Sequence, residues 1–524
     1  QQDRQNFTAY GAALTTSRLG VPRYWLQADE VSLTDTRDET DLSVYAPTDA
    51  SRGTNMRAQA RNNYVYLGGV PIFYWPTFGT RLQEPSFYLS GVKFKNDQIF
   101  GTQVYTEWNI YQALGIQGPE GTSLTGSVDY LSERGPAVGA HFDYQRPTWF
   151  FGAPGTGFSD AWFINDQGLD VLGLDRKGLQ PDKDLRGRIL GRNRLFLSPN
   201  VELMAESGYI SDRNFLEQYF EKEWDTEKDF TSGLRLRRYN GNRMFDVSGN
   251  ARVNDFYTET ESLPRFDHYW LGQDLFGERF TYNAVSSAGY LHQRPAEAPT
   301  DPIELAKYAP QPWESDSEGV VASTRQELSY PLALGAFDVV PYISGEAAFY
   351  NEDVNQDDET RLTGQAGLRS SLPFWRVYPN VENRLFDLRG IAHKVTLESD
   401  FFYADSNKDL SLFPLYDPLD DNSQEHFRRR FVFNTFGGTL PGQFDERNYA
   451  FRNGMQRWLT AGSRQVVDDL TQARFGVNQR WQTKRGLAGR ERVVDLVTFD
   501  TDFIFYPQEE RDNFGESIGA INYD

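Results

Sequence analysis

Few side chains in this sequence have a type and spacing that could carry a reaction. The 524 residues include five histidines, His141, His268, His292, His393 and His426, and none stands at metal-ligand spacing from another. No G-x-S-x-G elbow occurs, so a nucleophilic serine has no strained turn to sit on. The glycine-rich stretch Gly152 to Gly157 (GAPGTG) lacks the Lys-Ser/Thr that completes a phosphate cradle and reads as a loop. Asp353, Asn355 and Asp357 have the D-x-N-x-D spacing that opens a calcium loop, as do Asp405, Asn407 and Asp409. Neither run continues with the glycine at its sixth position or the glutamate at its twelfth, so both read as solvated loops. Cysteine is absent, which excludes disulfides, iron–sulfur clusters and thiol catalysis. The expectation is a protein that is not an enzyme and has no metal site and no cofactor.

The elements that would position any site are β-strands. Aromatic residues make up 15% of the chain, while the mean hydropathy is only −0.61. The net charge of −21 argues against a nucleic-acid partner, whose recognition needs clustered Lys and Arg. No run of 18 apolar residues exists, so no helix is expected to span a membrane. The N-terminus, QQDRQNFTAY, has no charged head followed by an apolar core, so no signal peptide is expected and the sequence is cytosolic or starts after processing.

Alternation with a period of two recurs instead. Val247, Gly249, Ala251 and Val253 oppose Ser248, Asn250, Arg252 and Asn254. Val395, Leu397 and Phe401 oppose Thr396, Glu398 and Asp400, and Val497, Phe499, Phe503 and Phe505 alternate with Thr498, Asp500 and Asp502. Turns such as Tyr239-Asn240-Gly241-Asn242 favour tight hairpins, and segments 151–185, 294–318, 351–360 and 405–430 are rich in Asp, Pro, Gly and Asn, as long loops are. Helical periodicity is confined to short stretches at 302–308 and 457–471. These features predict an all-β chain whose residues 86–524 form a large antiparallel transmembrane β-barrel of roughly 20 strands, with apolar side chains facing lipid and polar ones facing a wet lumen. Arg235, Arg237 and Arg252 are the lumen candidates for contact with phosphorylated sugars, the alternative being the ordinary polar lining of any wet barrel.

Residues 1–85 differ. Tyr24 to Leu33 reads as short strands and Arg57 to Leu67 as another pair of strands of a separate small β-domain, and the aromatic run GGVPIFYWP (Gly68 to Pro76) reads as a fixed apolar connector to the barrel. That run, with Val70, Pro71, Ile72, Phe73, Tyr74, Trp75 and Pro76, resembles the junction of the LptD family of lipopolysaccharide-assembly translocons, where an OstA-type jellyroll meets the barrel. YLSERGPAVGAHFDY (Tyr130 to Tyr144), SDRNFLEQYFEKEW (Ser211 to Trp224), ESLPRFDHYW (Glu261 to Trp270) and FDERNYAFRNGMQRW (Phe444 to Trp458) are similar to later segments of that family, in the same order. The sequence departs from the family in having no cysteine for interdomain disulfides and no proline in the early barrel region Phe87 to Trp108. The family's barrel also extends further, so a fragment or a shortened relative is expected.

The resemblance implies the C-terminal part of a periplasmic jellyroll over residues 1–85, joined to an outer-membrane barrel of a Gram-negative-type cell. It implies a translocon that inserts lipopolysaccharide into the outer leaflet through a lateral gate, with Val70 to Pro76 lining the lipid passage. The implied partners are lipopolysaccharide, the outer-membrane bilayer, a plug lipoprotein of the LptE type and a jellyroll bridge of the LptA type. Two other readings remain open: a passive outer-membrane porin or transporter, and a secreted soluble glycan-binding β-protein.

Overall fold

The computed structural model describes residues 2–3, 6–15, 24–35, 56–81, 88–116, 118–173, 176–308, 314–417, 419–438, 455–460, 465–486, 489–509, 511 and 513–521. Most of the segment Phe444 to Trp458 lies outside them. The chain divides into two compact units, one of residues 1–171, 180–193 and 210–215, the other of residues 172–179, 194–209 and 216–524.

The first unit opens with a five-stranded antiparallel sheet whose strands pair in chain order, Gln2–Asp3, Asn6–Leu14, Tyr24–Asp35, Met56–Leu67 and Val70–Arg81. The stretch 57–67, expected to hold two strands, is one strand of twelve residues ending in a tight turn. A second antiparallel sheet begins at Leu89. Among the described residues nineteen strands close it into a barrel, and one of them, Leu332–Leu334, is only three residues long. Setting that short piece aside leaves an even number of long strands, as up-and-down closure requires. Segment 151–185, expected to be a loop, contains the barrel strand Gly155–Asn165, and its remainder is pinned by charge. Arg186 donates to Asp166, Asp170 and Asp212 at 2.7–2.9 Å, all of them buried.

In the second unit short and long connections alternate. Turns at 241–242, 276–279 and 384–387 follow one end of the strands, and connections at 252–258, 295–316 and 407–469 follow the other. A two-residue hairpin forms one residue later than the Asn-Gly pair predicts, with Gly241 and Asn242 between the paired Asn240 and Arg243 and Gly241 at φ 61°.

The wall has the inverse burial of a water-soluble sheet. Leu397, Phe401, Phe475, Phe503 and Phe505 are exposed, Phe503 at 56%, whereas Asp400 between them in sequence is 5% exposed. Arg325, Glu327, Glu346 and Arg361 are likewise buried on the inner face. Alternation along these strands sends the apolar set outward and the charges inward because successive side chains leave opposite faces of the pleat.

Candidate functional site

The run from Val70 to Pro76 is part of a strand and not a connector. Leu67 pairs with Val70 across Gly68 and Gly69, which stand at φ 57° and 88°, values that admit glycine readily and most other residues only with strain. The strand is an edge of its sheet, where Pro71 and Pro76 are tolerated despite lacking an N–H. Val70 is 61% exposed and Ile72 58%, and Phe73 and Tyr74 are exposed beside them. A bulge leaves Ile72 unpaired, since Tyr66 pairs with Pro71 and Val65 with Phe73; beyond it alternation sends Phe73 and Tyr74 to opposite faces, so both faces of this strand present apolar surface.

Trp75 is half-buried and holds the hairpin in place. Its ring lies 5.3 Å from that of Tyr88 and 6.3 Å from that of Trp108, and Trp108 belongs to the barrel strand Gly101–Asn109. Buried Asn63 donates from Nδ2 to the Trp75 carbonyl at 3.2 Å. The aromatic hairpin is thereby fixed against the first barrel hairpin within one compact unit.

The three arginines expected in the lumen differ in what is left free. Arg237 bonds Asp246 at 2.9 Å and lies 3.7 Å from Glu202. Arg252 donates to the carbonyls of Arg294 and Pro295 and pairs with Glu297. Arg235, half-exposed, reaches Asp246 at 3.4 Å and borders a cavity of about 440 Å³. Arg265, Glu206, Asp267, Asp417 and Tyr257 also line that cavity.

The described parts of the connection 407–469 at 415–417, 456–457 and 465 lie against the inner face of the wall in the second unit. Gln293 donates to the Leu415 carbonyl, Arg325 to that of Gln456, Arg369 to that of Arg457, and Arg361 to that of Gln465. Arg265 pairs with Asp417 at 2.6 Å. Within the connection, helix Asn422–Phe436 is capped by Asp421, which accepts from the Gln424 N–H, and it ends at Gly437 in the left-handed conformation. Asp229 accepts from the backbone and side chain of Asn422, and Arg429 pairs with Glu314. Burial pushes the Asp229 carboxyl up to about 6, with Asp421 adding to the shift against the Asn422 bonds.

No sequence signal announced this helix. Its buried residues, Asn422, Ser423, His426, Arg429 and Val432, have helical spacing, but four of the five are polar, and they meet Asp229, Glu314, Trp224 and Tyr257 of neighbouring connections. The helix expected over 457–471 is a single turn at Met455–Arg457, and a strand begins at Leu470. The short helix expected near 302–308 is present as Pro302–Leu305.

The remaining candidates are structural. The Asp353 carboxylate accepts from the Asn355 and Asp357 backbone and closes its own loop. Desolvation would raise that carboxyl, yet those bonds hold it below the ordinary carboxylate range. Asn407 bonds Leu362 and Thr360 of a neighbouring strand. The histidines are scattered. His268 stacks on Phe245, His393 on Trp481, and His426 packs edge-on to Trp224. Among the described residues no cluster could hold a metal ion.

No protein-family model and no curated protein matches the sequence. Solved structures similar to this chain include OccK10 (OpdN) of Pseudomonas aeruginosa, at 8% identity over 83% of this chain and 96% of the other, with a TM-score of 0.28. OprD, an outer membrane protein of the same organism, is 9% identical over 82% and 92%, with a TM-score of 0.25. Wzi of Escherichia coli, a carbohydrate-binding β-barrel involved in group 1 capsule assembly, is 12% identical over 61% and 78%, with a TM-score of 0.23. Superposition this loose assigns neither a family nor an activity.

Proposed function

We propose that this chain is an outer-membrane β-barrel that transfers an amphipathic glycolipid of the lipopolysaccharide kind from a periplasmic β-domain into the outer leaflet. The observation that carries this reading is the aromatic hairpin, apolar on both faces and stacked through Trp75 onto the first barrel hairpin. An acyl chain needs a continuous apolar path and a sugar headgroup a wet one. The exposed Val70, Ile72, Phe73 and Tyr74 supply the first. The charged inner wall, with Arg235 open to its cavity, supplies the second. The membrane itself is argued from the outward Leu and Phe side chains, since an apolar surface of that extent on a water-soluble protein would be covered. In this reading a jellyroll bridge of the LptA type delivers the lipid. A plug lipoprotein of the LptE type would share the lumen with residues 407–469.

A passive porin is the second reading, favoured by the way connection 407–469 narrows a charged lumen. The deciding experiment places a photo-crosslinking residue at Phe73 in cells and compares it with the double variant Phe73→Asp/Tyr74→Asp. Transfer predicts a lipopolysaccharide adduct at Phe73, and in the double variant a stalled lipid with an intact, heat-modifiable barrel. Small-solute conductance without any adduct, and normal surface lipid in the variant, would leave the porin.

A further inference from the structure

The outer face of strands Ser232–Asn240, Arg243–Ala251 and Glu259–Leu275 carries a second feature, unrelated to the lumen. Register places Leu236 beside Val247 and Val247 beside Phe266, with Arg238 beside Phe245 and Phe245 beside His268 on the next row. Asn240, Arg243 and Trp270 form the last row, at the short-turn end. Below the arginines, Leu203, Leu234, Leu236, Val247 and Leu263 enclose an almost purely apolar groove of about 350 Å³. Its floor is Gly249, where a Cβ would meet only Leu263 and the Ser262 carbonyl, at 3.4–3.5 Å.

The arginines differ from those of the lumen. Arg237, one residue away and facing inward, is held by Glu202 and Asp246. Arg238 is exposed, and neither it nor Arg243 has a carboxylate partner among the described residues. Arg243 lies over the Trp270 ring at 3.8 Å, which keeps its guanidinium on the outer face. Two unneutralised guanidinium groups on the outside of a barrel are costly in hydrocarbon and favourable at the headgroup level, where they meet phosphate. Short barrel turns face the periplasm, so this end lies at the inner leaflet, which is built of phospholipid.

We propose that this face is a binding site for one anionic phospholipid of the inner leaflet, its phosphate between Arg238 and Arg243 and one acyl chain in the groove over Gly249. The proposal rests on the membrane-spanning reading of the barrel and is independent of what the lumen carries. Charge complementarity selects the occupant. A zwitterionic phospholipid brings a phosphate already paired with its own ammonium and no net charge to offset two guanidinium groups, and lipopolysaccharide belongs to the opposite leaflet.

The test begins with alkaline extraction of membranes carrying the full chain. Release into the soluble fraction would overturn the membrane reading and the site with it. With the chain retained, detergent-purified protein is titrated with phosphatidylglycerol, phosphatidylethanolamine or lipopolysaccharide and read by native mass spectrometry. One phosphatidylglycerol is expected to persist where phosphatidylethanolamine is lost. Each guanidinium near an anionic headgroup is worth about fivefold, so Arg238→Gln/Arg243→Gln should weaken retention roughly thirtyfold. Gly249→Phe fills the groove with both arginines in place and should also expel the lipid. Its folding is checked by the heat-shifted band, and the arginine variant stands as the independent arm if that band is lost. Equal retention of the two phospholipids, tighter binding of lipopolysaccharide, or unchanged retention in the arginine variant would overturn the site while leaving the membrane barrel standing.

Discussion

Replacing Arg369 by methionine tests whether the inner wall is held by charge. The guanidinium bonds both carboxylate oxygens of Glu327, at 2.9 and 3.0 Å, and the Arg457 carbonyl at 3.0 Å, and it lies 3.8 Å over the Tyr342 ring. Glu327 is 4% exposed, so Arg369→Met leaves a buried carboxylate without its cation, a loss of about 3–5 kcal/mol. The orphaned Arg457 carbonyl adds about 1 kcal/mol. Asp400 keeps a cation, because Arg457 is 3.5 Å away. The double variant Arg369→Met/Glu327→Met removes the charge together with its partner and should cost only about 1–2 kcal/mol, the carbonyl bond and the ring contact remaining lost. Urea titration in micelles, following the heat-shifted band, reads these differences. Because Arg369 also anchors connection 407–469, both variants should raise bilayer conductance, and only the single one should be strongly destabilised. A single variant within about 1 kcal/mol of wild type, or a double variant costing the sum of the two singles, would refute the argument.

Three other perturbations have defined outcomes. Leu397→Arg puts a charge mid-strand on the outer face and should cost about 2–4 kcal/mol in lipid vesicles, measured by urea-dependent folding; a neutral effect would mean that this face does not meet hydrocarbon. Arg186→Met takes the cation from Asp212 and leaves Asp166 and Asp170 only Arg134, 3.5 and 3.7 Å away; it should cost about 3–5 kcal/mol, read in the same titration. The Asp229 carboxyl, raised to about 6 from 3.8, binds its proton more tightly folded than unfolded. Its contribution to holding helix Asn422–Phe436 is therefore complete below pH 3.8 and lost as pH rises through about 6. Proteolysis of that helix should quicken from pH 5 to pH 8, and Asp229→Asn should flatten the dependence.

The sequence exposed those parts of the fold that rest on local rules. Alternation such as Leu397, Glu398 and Phe401 depends only on the pleat, and it yielded a barrel of roughly 20 strands where nineteen form. The tight turn is equally local, although it sits at Gly241-Asn242, one residue beyond the expected Asn-Gly centre. Gly68 and Gly69 were visible too, but their role as a hairpin depends on the pairing of Val70–Arg81 with Met56–Leu67, so the run read as a connector. The lumen was the least legible part. Arg325 meets a carbonyl 131 positions away, and Asn422 an aspartate 193 away. A helix whose buried stripe includes Asn, Ser, His and Arg shows no apolar period, because it is held by Asp229 and Glu314 and packs edge-on to Trp224 and Tyr257.

The edge strand Val70–Arg81 has one more consequence. An apolar strand with an open hydrogen-bonding edge is a template on which further copies can stack. Pro71 and Pro76 have no N–H to offer, so an incoming strand would find no backbone donor at either position. The side chains that make this surface greasy enough for a lipid therefore come with a backbone that discourages self-association. Replacing the two prolines should leave the apolar surface intact and remove the brake on chain-to-chain fibrillar growth.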